Sequence, residues 1–285
     1  MTTNYHNYKI TLVTNQDKNQ FEKIHHLLFD LDNTLYPASS RMDAGITSRM
    51  IEVTAKQVGL SVEEAAKLRS ERMPIYGTSL GWLMAEHGLI DIKGFFEAVH
   101  PESEIEELDF DPKLRPFLES ISLPKTVLTN SPTIHANRVL DFFNIRDLFI
   151  FISDIETNGL RGKPYENSYL TAVFEKGYNL SNTLFFDDHE KYTKGYTVLG
   201  GKSILVSDKF LLPGDEGTFN CDYIVKDIVN SQIDDKTDLK AKTLENLTEI
   251  KKVILEKNPN LLPYASISSV FDVPKLLEAL AEKKS

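Results

Sequence analysis

Short apolar runs alternate with segments of helical periodicity along most of this 285-residue chain. The runs have the length of buried strands, and the segments between them space their apolar residues as helices do. This order predicts an α/β fold in which helices cover the faces of a mostly parallel sheet. The predicted strands are residues 24–29, 125–128, 148–153, 183–186 and 203–206.

A long helical insertion interrupts this alternation after Pro37. For about eighty residues the apolar positions follow helical spacing and no strand pattern appears, and one helix in this region is expected to end before Pro74. We therefore predict a helical domain over residues 38–115. It is inserted into a sheet domain formed by residues 1–37 and 116–285.

The two ends of the chain carry weaker patterns. Residues 1–22 are polar and are interpreted as a tail or an addition at the sheet edge, and residues 207–285 as a C-terminal elaboration of the sheet domain. Either residues 221–225 or residues 265–271 could supply a last strand. Between them, residues 244–253 have the spacing of an amphipathic helix.

Composition and charge argue against several classes of protein. A net charge of -10 and a pI near 5.3 oppose sequence-independent binding to nucleic acid, which needs many Lys and Arg contacts to phosphate. The single cysteine, Cys221, excludes an intramolecular disulfide and a cysteine-based zinc site. Because neither a membrane-spanning run nor a secretory signal is recognisable, we expect a cytoplasmic protein without a membrane partner.

Polar side chains follow the ends of the predicted strands. Taken singly, each could be a turn former, a helix cap or a solvated loop residue. In a parallel sheet, however, ligands bind beyond the carboxyl ends of the strands, so residues at these positions are expected to meet. The set consists of Asp30 with Asp32, Thr129 with Asn130, Lys163, and Asp187 with Asp188.

These positions also carry a family resemblance. The order Asp30-x-Asp32-x-Thr34-Leu35, Thr129-Asn130, Lys163-Pro164 and Asp187-Asp188 resembles the four motifs of the haloacid dehalogenase-like (HAD) hydrolase superfamily. The resemblance covers about residues 24–206. It implies a Rossmann-like core, a helical cap over residues 38–115, and hydrolysis of a phosphate monoester through an aspartyl-phosphate intermediate.

The resemblance further implies a role for each motif residue. Asp30 is the nucleophile that forms the acyl phosphate, and Asp32 protonates the leaving alkoxide and then activates water. Lys163 neutralises charge on the nucleophile and the phosphoryl group. The Thr129 hydroxyl and the Asn130 backbone N–H hold phosphoryl oxygens.

A divalent cation is expected at the same place. Clustered carboxylates would repel an anionic substrate without one, and Mg²⁺ prefers oxygen ligands of this kind. The family pattern implies as ligands the Asp30 carboxylate, the Asp32 backbone carbonyl and an acid of the Asp187–Asp188 pair. The sequence leaves open which member of that pair binds the metal directly.

Parts of the insertion resemble one subfamily, the pyrimidine 5'-nucleotidases of fungal and bacterial type. This likeness implies that the substrate is a nucleoside monophosphate, UMP or CMP, and that Tyr76, Thr78 and Trp82 of the cap lie near its base or ribose. The matching segments are Leu35-Tyr36-Pro37, residues 76–84, Val99-His100-Pro101, Thr129-Asn130-Ser131 and His135-Ala136.

The fourth motif departs from the common pattern. Many relatives have Ser and Asn where this chain has His189 and Tyr192, which puts the hydrogen bonding around the metal site in question. We interpret His189 as a loop or supporting residue. His100 and His135 are interpreted as ordinary helix or turn residues.

Three alternatives to a nucleotidase remain open at this point. The first is a phosphatase or phosphomutase for a sugar phosphate or another small phosphometabolite. The second is a carbon–halogen hydrolase, which uses the same aspartate nucleophile but has no alkoxide for Asp32 to protonate. The third is a HAD-derived module that binds without catalysis.

Overall fold

A computed structural model describes residues 2–5, 8–12, 24–38, 40–207 and 265–282. Eight strands in these ranges form one sheet, with the order β1-β2-β8-β7-β6-β3-β4-β5. The six strands from β8 to β5 are parallel, whereas β1 and β2 pair antiparallel at the β8 edge. The strands are β1 (Thr2–Tyr5), β2 (Tyr8–Leu12), β3 (His26–Phe29), β4 (Lys125–Leu128), β5 (Phe151–Ser153), β6 (Thr183–Asp187), β7 (Lys202–Val206) and β8 (Ala265–Ile267).

Nine α-helices accompany this sheet in the described residues, so the α/β class predicted from the sequence is confirmed. None of them combines the length and the apolar character that crossing a bilayer requires. The helices are α1 (Arg41–Val58), α2 (Val62–Tyr76), α3 (Ser79–His87), α4 (Ile92–Val99), α5 (Leu114–Ser120), α6 (Thr133–Phe142), α7 (Glu166–Phe174), α8 (Glu190–Val198) and α9 (Val273–Glu282).

The described residues between β3 and β4 form helices and no strand, as the sequence predicts. We call α1 to α4, with the 3₁₀ turn at Glu102–Glu107, the inserted helices. Their apolar faces pack into a core of their own, separate from the core beneath the sheet. The core of the inserted helices contains Leu80, Trp82, Leu83, Phe95 and Val99.

One boundary inside the insertion was predicted wrongly. The helix expected to end before Pro74 continues to Tyr76. Pro74 falls in the last turn, where it removes only one backbone donor, and the Gly77 N–H still bonds to the carbonyl of Met73 at 3.0 Å. A proline this close to a helix end is therefore tolerated.

Strand positions follow the prediction with small shifts at the ends. β5 begins three residues later than expected because Arg146–Leu148 forms a 3₁₀ turn. At the chain ends, residues 2–5 and 8–12 form the expected edge addition, and residues 265–267 supply the strand beside β7. The alternative last strand at 221–225 and the amphipathic helix at 244–253 lie outside the described residues.

The middle strands place the site. β3 lies between β6 and β4, with Phe29 level with Phe186 on one side and with Val127 on the other. All four residues of β3 are fully buried, and Phe29 stacks on Phe186 with ring centroids 4.7 Å apart. Because the three strands are parallel and in register, their carboxyl ends open at the same edge of the sheet.

Candidate active site

The predicted site residues meet at this edge of the sheet. Asp30 directly follows β3, Thr129 directly follows β4, and Asp187 is the last residue of β6. The Asp30 backbone N–H continues the sheet by bonding to the Phe186 carbonyl at 2.8 Å. The sheet itself therefore fixes the backbone from which the central carboxylate projects.

Lys163 joins two of the carboxylates. Its Nζ lies 2.6 Å from Asp30 Oδ1 and 2.6 Å from Asp187 Oδ2. The lysine side chain is only 1% exposed and both carboxylates are buried. Although burial lowers the pKa of Lys163, the charges of Asp187 and Asp30 outweigh it and hold that pKa above its usual value, so the ammonium form persists.

Three carboxyl groups cluster around this one ammonium. Asp30, Asp187 and Asp188 each offer an oxygen, and these atoms all lie within 4.8 Å of one another. Burial raises the pKa of all three, and the pKa of Asp188 rises to about 7. One lysine cannot balance two buried carboxylates and a half-buried one. These oxygens suit a divalent cation, whose positive charge would balance the remaining negative charge.

The two acids of the fourth motif have different surroundings. Asp187 uses both oxygens, because Oδ1 accepts the His189 backbone N–H at 2.8 Å and Oδ2 accepts from Lys163. Asp188 is half-buried, and its backbone N–H donates to the Thr34 hydroxyl at 3.1 Å. Its carboxylate accepts no side-chain hydrogen bond from the described residues, which leaves its oxygens available for a metal.

Three donors lie within 2.7 Å of the Asp32 carboxylate. Its Oδ1 accepts from the Tyr36 hydroxyl at 2.5 Å and from His135 Nε2 at 2.7 Å, and its Oδ2 accepts from the Ser131 hydroxyl at 2.7 Å. Burial alone would raise the pKa of Asp32, but the His135 charge and the three hydrogen bonds lower it well below its ordinary range. The carboxylate is therefore fixed in orientation.

His135 belongs to a buried polar group that sequence reasoning missed. Its Nδ1 lies 3.0 Å from Glu104 Oε2, and His100 Nδ1 lies 2.9 Å from the same oxygen. Although burial opposes the change, the Asp32 charge raises the pKa of His135 to about 10, and hydrogen bonds from both histidines lower the pKa of Glu104 to about 2. A signal was present in the sequence, since His135 lies in the first turn of the helix that follows Thr129-Asn130.

The second-motif residues contact Asp32 and the loop that carries Lys163. The Thr129 hydroxyl accepts the Ser131 backbone N–H at 3.0 Å and donates to Asp32 Oδ2 at 3.5 Å. The Asn130 side chain clamps the loop that carries Lys163. Its Oδ1 accepts the Lys163 backbone N–H at 2.6 Å and its Nδ2 donates to the Lys163 carbonyl at 2.9 Å.

The unusual residues of the fourth motif support the same loop. The Tyr192 hydroxyl accepts from Asn130 Nδ2 at 3.2 Å, and Lys163 Nζ lies 4.9 Å from the centre of the Tyr192 ring. The His189 backbone N–H donates to Asp187, and the residue itself is exposed. His189 is therefore a loop residue, in agreement with its interpretation from the sequence.

Comparison with known families identifies the family of this chain. Residues 24–191 match the model of the family described as haloacid dehalogenase-like hydrolase. The chain belongs to the haloacid dehalogenase-like hydrolases. The matched region includes β3, the inserted helices and all four motifs, so the resemblance inferred from the sequence is confirmed at the level of the superfamily.

Several proteins are similar to this HAD hydrolase. Phosphate metabolism protein 8 of Saccharomyces cerevisiae is 26% identical over 187 residues, which cover 60% of this chain and 58% of the yeast protein. A HAD phosphatase from Thermococcus onnurineus is 17% identical, with a TM-score of 0.47, and the match covers 68% of this chain and 89% of that one. L-2-haloacid dehalogenase from Xanthobacter autotrophicus is 13% identical, with a TM-score of 0.47 and coverage of 90% and 98%.

The inserted helices of this HAD hydrolase border a cavity of about 390 Å³ next to the Lys163 loop. Two of the three residues predicted to contact substrate, Tyr76 and Thr78, line it. Trp82 is fully buried in the core of the inserted helices, where its Nε1–H donates to Glu86 at 2.8 Å. The other main lining residues are Met84, Leu160, Arg161 and Tyr165.

Proposed function

We propose that this HAD hydrolase is a Mg²⁺-dependent phosphomonoester hydrolase that forms an aspartyl phosphate on Asp30. The observation that carries the proposal is the contact of Lys163 with both Asp30 and Asp187, beside the carboxylate of Asp188, which accepts no side-chain hydrogen bond from the described residues. The proposed nucleophile Asp30 thus lies next to both a fixed positive charge and a set of proposed metal ligands. An anionic phosphate ester needs this combination, because attack by a carboxylate is otherwise opposed by like charge.

The proposed reaction has two steps. In the first, a carboxylate oxygen of Asp30 bonds to phosphorus while the ester P–O bond breaks. Asp32, whose carboxylate is ionised in the free protein, takes up a proton from solvent when the substrate binds and gives it to the leaving alkoxide. In the second, water attacks the phosphorus of the acyl phosphate, Asp32 takes a proton from that water, and the Asp30 carboxylate leaves. Asp32 thus recovers the proton that it gave up, and the products are an alcohol and inorganic phosphate.

Charge stabilisation in both steps falls to Lys163 and the metal site. Lys163 neutralises Asp30 and, by its position, the phosphoryl oxygen that approaches it. Asp30, Asp188 and the Asp32 carbonyl would hold Mg²⁺, and the bound ion would supply Lewis-acid stabilisation of a phosphoryl oxygen. Asn130 contributes indirectly, because its side chain holds the Lys163 backbone.

We further propose that the inserted helices act as a cap and that the substrate is a pyrimidine nucleoside monophosphate, UMP or CMP. Support comes from the likeness of residues 76–84 to pyrimidine 5'-nucleotidases and from the cavity between the inserted helices and the Lys163 loop. Its wall carries Tyr76, Tyr165 and Arg161, a composition that suits a base and a ribose. The name of the yeast relative, phosphate metabolism protein 8, agrees with a phosphate ester as substrate.

A panel of esters tests both levels of the proposal. Purified protein is assayed for phosphate release from UMP, CMP, AMP, GMP, glucose 6-phosphate and phosphoglycolate, with Mg²⁺ and with EDTA. We expect Mg²⁺-dependent release that is fastest with UMP and CMP. Faster release from the sugar phosphate or phosphoglycolate would reject the nucleotidase and keep the phosphatase. Isomerisation of a sugar phosphate without release would indicate a mutase, and no turnover at all would favour the binding module.

An Asp30→Asn variant tests the covalent step. It keeps the shape of the side chain and removes the nucleophile, so activity should fall to background while the fold persists. Asp141→Asn is the matched control, because that carboxylate is 63% exposed on α6 and lies away from the motif residues. Activity of Asp30→Asn at the parent rate would reject the aspartyl-phosphate mechanism.

A further inference from the structure

His135 connects the predicted acid–base residue to the inserted helices. On one side its Nε2 is 2.7 Å from Asp32 Oδ1, and on the other its Nδ1 is 3.0 Å from Glu104 Oε2. His135 and Glu104 are both fully buried, whereas the Asp32 side chain is 23% exposed. One part of Asp32 is therefore open to the site while another part is bonded to a group that solvent does not reach.

Glu104 is itself fixed from several directions. Besides His135, it accepts from His100 at 2.9 Å and from Arg138 at 3.1 Å, and Arg138 also donates to the His100 carbonyl at 2.8 Å. His100 follows α4 and Glu104 lies on the 3₁₀ turn of the inserted helices, whereas Arg138 and His135 lie on α6. The hydrogen bonds thus run from the inserted helices through α6 to the loop after β3.

The other three donors to Asp32 are held differently. Tyr36, Ser131 and Thr129 donate through hydroxyl groups, and a hydroxyl can rotate its proton away from the carboxylate. An imidazole bonded at both nitrogens cannot turn without breaking one of its bonds. Among the described residues, His135 is the donor to Asp32 whose direction is set by a second buried partner.

We propose that His135 is a positioning residue that holds the Asp32 carboxylate in the orientation for proton transfer to the leaving group, with Glu104 holding the His135 ring. The inference rests on the proposed function, since it assigns a task within that reaction. If His135 has this role, the acid–base step depends on Glu104, a residue of the inserted helices. This role also explains why a glutamate and two histidines are buried together outside the metal site, beside a half-buried arginine.

The leaving group distinguishes this role from a merely structural one. An alkyl phosphate expels a basic alkoxide that needs a proton from Asp32, whereas p-nitrophenyl phosphate expels a weakly basic phenolate that does not. Damage to the fold lowers both rates by the same factor, because it changes only the amount of active enzyme. The second step, in which Asp32 acts as a base, is common to both esters and contributes to kcat. The informative quantity is therefore the ratio of kcat/KM for the fastest alkyl ester of the panel above to kcat/KM for p-nitrophenyl phosphate, because kcat/KM reports only the steps up to loss of the leaving group.

Three substitutions make the test. His135→Phe keeps a ring and removes both donors, and we expect the ratio to fall about 10²-fold. His135→Gln keeps a donor directed at Asp32 and should recover most of the ratio. His26→Phe is the matched control, because His26 is also fully buried but is bonded to Thr126 and Thr183 within the sheet, and its ratio should equal that of the parent.

A second variant keeps the test valid if His135→Phe folds poorly. Glu104→Gln keeps the shape of the side chain and weakens its hold on His135, and it should lower the same ratio to a smaller extent. An unchanged ratio in both His135→Phe and Glu104→Gln, with the parent active on both esters, would overturn the inference and leave the proposed function standing. A parent that hydrolyses no alkyl ester would overturn the proposed function, and this inference with it.

Discussion

Lys163 Nζ lies 2.6 Å from Asp187 Oδ2, within a pocket where neither side chain is more than 1% exposed. The same carboxylate accepts the His189 N–H through its other oxygen, so both oxygens of Asp187 have protein partners. Asp188 keeps its oxygens free of side-chain partners among the described residues. The two neighbouring acids therefore have different surroundings, which suit the proposed roles of Asp187 as partner of the lysine and Asp188 as metal ligand.

This difference predicts unequal effects on Mg²⁺ binding. Asp188→Asn removes a charged ligand, so the Kd for Mg²⁺ should rise by about 10²-fold or more, whereas Asp187→Asn should change it less and lower kcat by releasing Lys163. Isothermal titration with Mg²⁺ gives the Kd of each variant, and phosphate release at saturating Mg²⁺ gives kcat. A larger rise in Kd for Asp187→Asn would reverse the assignment.

The raised pKa of Asp188 predicts how Mg²⁺ affinity depends on pH. Burial raises this pKa to about 7, so below pH 7 the carboxyl group binds a proton that Mg²⁺ must displace. The apparent Kd for Mg²⁺ should therefore rise by about tenfold for each pH unit below 7 and level off above it. A titration series from pH 5.5 to 8.5 checks the slope, and a Kd that is flat across the series would contradict the expected competition.

The hydrogen bonds of the Asn130 side chain to the Lys163 backbone predict that removing an uncharged side chain lowers activity. Asn130→Ala removes both hydrogen bonds to the Lys163 backbone, so the ammonium can shift from Asp30, and kcat should fall by about 10²-fold. Tyr192→Phe is the matched control, since it removes one hydroxyl bond to Asn130 and keeps the ring beside Lys163. The control should lose far less. Equal losses in the two variants would mean that Asn130 does not position Lys163.

The sequence predicted most of the sheet because buried parallel strands are short apolar runs whose polar ends are easy to locate. Asp30, Thr129 and Asp187 were found in this way, since each follows or ends a strand. The helix through Pro74 was predicted wrongly because the cost of a proline depends on how near it is to the helix end.

The polar group behind Asp32 could not be predicted by the same reasoning. His100, Glu104 and His135 lie on different helical elements, and their meeting depends on how the inserted helices pack against α6. A histidine on a helix carries no sign of its partners. The clamp of Asn130 on Lys163 was missed for a related reason, because the motif assigns Asn130 a backbone role and says nothing of its side chain.

A final prediction concerns stability in acid and depends on a histidine outside the site. His26 begins β3, is fully buried, and stacks on Tyr178 with ring centroids 4.2 Å apart. Burial lowers its pKa from 6.5 to about 4 in the folded protein. Between these two values a proton binds the unfolded chain more readily than the folded one, so the folded state loses stability as the pH falls through this window.

The loss should be about 1.4 kcal/mol of unfolding free energy for each pH unit within the window, and His26→Gln should remove it. Urea denaturation of the parent and the variant at pH 7, 6 and 5, with EDTA present so that metal binding does not contribute, gives the two slopes. Glu104, whose folded pKa is about 2, also loses stabilising bonds on acidification, but it does so equally in both proteins. The difference between the slopes therefore isolates His26, and parallel slopes would show that its ring accepts a proton without cost in the folded sheet.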